Sequence, residues 1–236
     1  MNSRLFQRDF TIMILGQIIS LFGNAILRFS LSLYVLEVTG SAAVFGTILA
    51  VSMIPTVLLS PFGGVLADRL PKQKIMTILD FVTGGLIVFY DAVYGSAGNL
   101  AAVTIFMILL TLIQAFYQPS VQASIPLLAS QEQLMAANGI VMQAQARAGL
   151  LGPILAGMLY GIGGVKPILA ASAVCFFLSA VMELFLRIPH EKREADGSPV
   201  RMALLDLKGA VTYLIRENTC LFKLLIVVAG ISLFLS

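Results

Sequence analysis

Six long apolar stretches follow one another along the chain, at about residues 10–36, 42–67, 75–94, 100–117, 138–160 and 167–188, with polar turns between them. Each is close to the ~20 residues that cross the hydrocarbon core of a bilayer as a helix. Backbone amides and carbonyls in lipid have no water to bond, so a spanning segment must satisfy them within itself or close into a barrel. None of the stretches shows the period-two alternation of a barrel strand. The fold class is therefore all-α, a polytopic membrane protein. Composition agrees: with 58% hydrophobic residues, 11% charged and a mean hydropathy of +0.95, there is too little polar surface to cover a water-soluble globule.

Arg4 and Arg8 precede the first stretch, but it runs past the ~7–15-residue core of a signal peptide, so it is read as a retained helix. Gly40-Ser41 and Gly95-Ser96-Ala97-Gly98-Asn99 form turns, and Pro119 and Pro126 are expected to bracket a polar linker ending near Ala137. Residues 1–188 then form a six-helix bundle of two three-helix repeats. Residues 189–218, with Glu191, Lys192, Arg193 and Arg216, form a charged linker, and residues 219–236 start a seventh helix. All of the 15 lysines and arginines except Arg28, Arg147 and Lys166 fall on one side of this topology. The positive-inside rule places that side, with the amino terminus, in the cytoplasm of a multi-pass cell-membrane protein.

The turn between the second and third helices is the most informative stretch. Paired glycines at 63 and 64 allow a close approach to a neighbouring helix, and Asp68, Arg69, Lys72 and Lys74 hold the loop at the water interface. Proline with small residues recurs as Ser60-Pro61-Phe62-Gly63-Gly64 and as Gly152-Pro153-Ile154-Leu155-Ala156-Gly157, a weak sign of a three-helix repeat. The plain alternative is that Gly and Pro are common in membrane helices.

The segment Gly64-Val65-Leu66-Ala67-Asp68-Arg69-Leu70-Pro71-Lys72 resembles the signature G-x-L-a-D-r-x-G-r-k between helices two and three of the major facilitator superfamily. Pro71 stands in for its glycine and Gln73 for a base. Gly152, Pro153, Ala156 and Gly157 are similar to the kinked-helix signature G-P-x-x-G-G of exporter branches. The turns at Tyr117-Gln118-Pro119, Ile125-Pro126 and Ala137-Asn138 resemble the macrolide-efflux-type branch. The resemblance implies a secondary transporter working by alternating access, an exporter of small amphipathic molecules. In it, Gly64, Asp68, Arg69 and Lys72 form a conformational latch. It also implies a second six-helix half, so the chain is expected to be an incomplete half that needs that partner or a second chain. A lipid facilitator, or a non-transporting assembly partner, is the alternative.

Drug-proton antiporters of the superfamily often carry an arginine inside helix four, where this chain offers Gln114 and no charge, and related sequences often have an acid where Gly23 is followed here by Asn24. Proton coupling through those positions is therefore unsupported, and Asp80, Asp91 and Glu183 remain as candidate membrane carboxylates. Intramembrane charges are costly and are functional candidates by default. Along the helix rise Arg28 and Asp91 share the outer half, where a pairing is open to them, while Arg147 and Glu183 share the inner half. Snorkelling or structural pairing is an alternative for each. Phe22, Phe29, Tyr34, Phe116 and Tyr117 either line an apolar cavity or pack. Cys175, Cys220 and His190 form no disulfide framework or ligand cluster, so no enzyme, cofactor, metal or nucleic-acid role is expected.

Overall fold

The computed structural model describes residues 8–95 and 99–188, which belong to one compact unit. The charged linker and the seventh stretch lie outside the described residues. The helices are α1 (Arg8–Thr39), α2 (Ala42–Arg69), α3 (Lys72–Tyr94), α4 (Leu100–Leu128), α5 (Leu134–Gly163) and α6 (Val165–Leu184), with a single 3-10 turn at Gln131–Gln133. No strand occurs among the described residues, and all six helices are long and apolar enough to cross a membrane.

Local chemistry sets the helix ends. Ser41 and Asn99 cap α2 and α4 by accepting bonds from the amides of Val44 and Ala102 at 3.4 and 2.8 Å. Leu70 precedes Pro71 and is held extended, which stops α2 at Arg69. Gly164, at φ 67°, ends α5 and starts α6 without a linker.

The fourth helix departs from expectation. It continues through Pro119 and Pro126 to Leu128, so the polar linker shrinks to a few residues around Gln131–Gln133. Two facts keep it helical. Ser120 and Ser124 donate to the carbonyls of Phe116 and Ser120 at 2.9 and 2.7 Å, keeping carbonyls near the proline bonded. The carbonyl that Pro119 cannot bond, that of Ala115, is met by another helix: a Cβ on Gly63 would fall 2.2 Å from its oxygen. Gly63 therefore makes the expected close approach, against α4 rather than the adjacent α3, while Gly64 faces open space.

α2 packs mainly on α4, α5 on α1, and α6 on both α1 and α3. Exchanging the first three helices with the last three turns the α2–α4 contact into α5–α1, and α1–α6 into α4–α3. Glycine serves both members of the first pair, because a Cβ on Gly152 would lie 2.5 Å from the Cβ of Ala25. α2 and α5 flank the bundle and leave much apolar surface uncovered, for example at Leu58, Leu150 and Ile162.

Two apolar clusters make the core. One, toward the Gly95 end, includes Leu27, Leu31, Ile87, Phe106, Ile168 and Phe176. The other, toward the Asp68 end, includes Phe10, Met13, Met76, Val121, Ile125 and Leu186. Between them, on α1, α3, α4 and α6, lie buried polar side chains.

Candidate functional site

The polar layer is built from four helices. α1 supplies Gln17 and Ser20, one helical turn apart on one face; α3 supplies Asp80, α4 Tyr117, and α6 Ser179 and Glu183, again one turn apart. All six are buried, with Glu183 and Gln17 at 0% exposure and Asp80 at 1%. The Tyr117 hydroxyl donates to Glu183 Oε1 at 2.8 Å. Its one proton is thereby spent, so the 3.2 Å contact with Ser20 Oγ is a bond that Ser20 donates, shared with its donation to the Gln17 carbonyl at 3.2 Å. Asp80 acts electrostatically on both Glu183 and Tyr117, and Ser179 stands against its carboxyl.

Small residues bring these groups together. Ser179 Oγ donates to the Gly16 carbonyl at 2.9 Å and Ser172 Oγ to that of Gly23 at 3.1 Å. The two serines and the two glycines are each seven residues apart, so they form successive rungs between antiparallel helices. A Cβ on Gly23 would fall 2.8 Å from that of Cys175, and one on Gly16 would lie 3.7 Å from Glu183 Cγ. Polar side chains bonded across a small-residue seam are a standard adhesive between membrane helices, which gain no hydrophobic force from lipid. At the end of α6, Gln73 Nε2 donates to the carbonyls of Glu183 and Leu184 at 3.1 and 3.2 Å, and Asp9 accepts from the Arg187 amide at 3.3 Å. Gln73 thus satisfies the Leu184 carbonyl at the helix terminus and adds a bond to that of Glu183, which also accepts from the Leu186 amide at 3.1 Å.

Several polar atoms in the layer have no hydrogen-bond partner: Gln17 Nε2 and Oε1, Asp80 Oδ2 and Glu183 Oε2. Buried polar groups without partners are rare and mark a strain reservoir, a functional role or an unfilled ligand position.

The other charge candidates lie apart from it. Arg28 and Asp91 form no ion pair, because α6 packs between α1 and α3. Asp91 instead lines a groove between α3 and α6 with Ile87, Leu169 and Phe177. Arg147 is exposed and donates to Gln143 on its own helix at 3.4 Å, away from buried Glu183. Of the aromatic candidates, Tyr117 is core and Phe29 is exposed. Sequence reasoning singled out Asp80 and Glu183 separately but missed Gln17, Ser20 and Ser179. The available signal was the matched seven-residue spacing of Gly16/Gly23 and Ser172/Ser179.

A family model described as Major Facilitator Superfamily matches residues 13–236, most of the chain. The chain belongs to this superfamily. It is similar to macrolide efflux protein A of Streptococcus pyogenes, with 28% identity over 217 residues, covering 90% of this chain and 52% of that protein. It is also similar to macrolide efflux protein A of Enterococcus faecalis, with 28% identity over 193 residues, covering 80% and 58%. The chain spans about half the length of these curated relatives. The crystal structure of a bacterial homologue of the iron transporter ferroportin, in an outward-facing state, matches with a TM-score of 0.64 at 20% identity. That match covers 82% of this chain and 52% of the other. The transporter fold is therefore established across the described helices, and with it a multi-pass membrane protein.

Within this superfamily frame the motif residues take definite places. Asp68 is exposed on the last turn of α2, and Arg69 and Lys72 are half-buried on either side of the Leu70-Pro71 turn. Gly152 and Ala156, one turn apart, are buried against the rest of the bundle, while Gly157 points to open space.

Proposed function

We propose that this chain is the amino-terminal half of a proton-coupled exporter of small amphipathic, drug-like molecules. The single observation that supports the reading is the similarity to macrolide efflux proteins over 90% of the chain. In this reading the amino terminus and the Asp68 turn face the cytoplasm, because lysine and arginine crowd that side. The second six-helix half, or a second chain, completes a cavity between halves. Asp68, Arg69 and Lys72 act as a cytoplasmic latch that sets the balance between inward- and outward-open states without touching cargo. About 1–3 kcal/mol of coupling suffices to shift such populations several-fold.

The test is export. The chain, alone and co-expressed with the carboxy-terminal half of a macrolide efflux relative, is placed in a drug-sensitive bacterium, and accumulation of a labelled macrolide and of amphipathic dyes is followed. Lowered accumulation that a protonophore reverses is the expected result. Unchanged accumulation with both halves in the membrane overturns the reading, and export of a fluorescent lysophospholipid alone replaces it with lipid handling. Asp68→Asn in the exporting pair is expected to slow turnover while leaving apparent affinity within a few-fold. Unchanged turnover at normal expression removes the latch.

A further inference from the structure

Asp80 and Glu183 are two carboxyl groups buried in the bundle interior with no basic partner among the described residues. The groups that act on them are Tyr117 from α4, Ser179 from α6 and each other, with Gln17 and Ser20 of α1 beside Tyr117 in the same layer; among the described residues no lysine, arginine or histidine acts on either. Two anions at such a site would repel each other where there is no water to screen them, so the layer needs a positive countercharge. The hydrogen-bond inventory says which. Tyr117 spends its only proton on Glu183 Oε1 and Ser179 spends its own on the Gly16 carbonyl. The one hydroxyl proton of Ser179 is therefore at most shared between the Gly16 carbonyl and Asp80, and gives the carboxylate no undivided donor. Gln17 adds a fully buried amide whose oxygen and nitrogen are both unpartnered. An amide can accept from a carboxylic acid or donate to a carboxylate, so it serves both charge states.

We infer that the layer formed by Gln17, Asp80, Tyr117 and Glu183 is a proton-binding site, loaded when the α1–α6 seam is closed and discharged when it opens to water. The inference deepens the proton-coupled function proposed above and names where the proton sits. Loading adds one proton to each of the Asp80 and Glu183 carboxylates, giving two neutral acids; discharge returns those protons to water. Glu183 lies one residue from the end of α6, so the short route to water passes the Gln73 and Asp9 contacts that close that end. Opening the seam breaks the rungs at Gly16 and Gly23, which ties proton exchange to helix movement.

The experiment is infrared difference spectroscopy on the purified protein in phosphatidylcholine bilayers as pH is varied, with variants checked for monodispersity. The expected result is a protonated-carboxyl band that loses one component in Glu183→Gln and another in Asp80→Asn. Tyr117→Phe, the milder change, retains the Glu183 component but shifts its frequency, because the hydroxyl donor is gone. A band unaltered in all three variants overturns the proposal. So does a band displaced when sodium chloride replaces choline chloride, which would make the site a sodium site. Should the band behave as expected while export ignores the pH gradient, the site stands and the proton-coupled function fails. Gradient-driven export without the band removes the site alone.

Discussion

Two tyrosine–glutamate pairs tie helices together at different depths of the bundle, and their surroundings differ completely. Tyr117 of α4 donates to Glu183 of α6 in the polar layer, where both residues are almost wholly buried. Tyr160 of α5 donates to Glu37 of α1 near the Gly164 end, where Glu37 is exposed. The bond is the same, but the remaining carboxylate oxygen is not: Glu183 Oε2 has no partner, whereas an exposed carboxylate has water. Burial, not the pairing itself, turns a common surface contact into a group whose charge must be managed.

The comparison breaks most directly when each acid is removed. Glu183→Ala strands the Tyr117 hydroxyl and leaves a cavity, and is expected to cost about 2–4 kcal/mol of stability. Glu37→Ala at the exposed pair is expected to stay within about 1 kcal/mol. Denaturant titration in micelles measures both, and equal losses would show that the polar layer is wetter than its burial indicates.

A smaller effect tests the seam that keeps the buried pair dry. Gly23→Ala places a Cβ 2.8 Å from that of Cys175, and overpacking of this kind costs about 1–3 kcal/mol. Gly46→Ala, with nothing within 4 Å, should be neutral or slightly stabilising because alanine is the better helix former. Equal melting temperatures for the two variants would remove the close-packed seam from the account.

The finest test removes one hydroxyl from each pair. Tyr117→Phe is expected to cost about 1–2 kcal/mol and Tyr160→Phe about 0.5 kcal/mol or less. Raising the salt concentration should shrink the second difference and leave the first unchanged, since screening acts on exposed charge. A salt-sensitive Tyr117→Phe effect would place solvent in the layer.

How much of this was legible beforehand depended on the range of the interaction. Leu70 before Pro71 announces a helix boundary locally, and the turn appears where that pair stands. Pro119 sends the same local signal and it fails, because Gly63, more than fifty residues earlier, faces the carbonyl that the proline leaves open. Asp80 and Glu183 were each recognisable as costly membrane carboxylates. Their shared site was not, since it depends on α3, α4 and α6 converging on α1. Arg28 and Asp91 show the reverse: similar depth suggested a partnership, and an intervening helix prevents it.

By itself the chain determined that it is a bundle of membrane helices, where most of them begin and end, and which superfamily it resembles. These follow from hydrophobic length, turn residues and a contiguous motif, all local properties of the chain. Only the tertiary structure decided which glycines are contact points, that α4 continues through two prolines, and that Gln17, Ser20, Asp80, Tyr117, Ser179 and Glu183 form one layer. Lipid gives helices no hydrophobic preference for one neighbour over another, so their partners are chosen by close packing and by polar groups that have nowhere else to bond. Those choices join residues far apart in the chain and become visible only when the helices are in place.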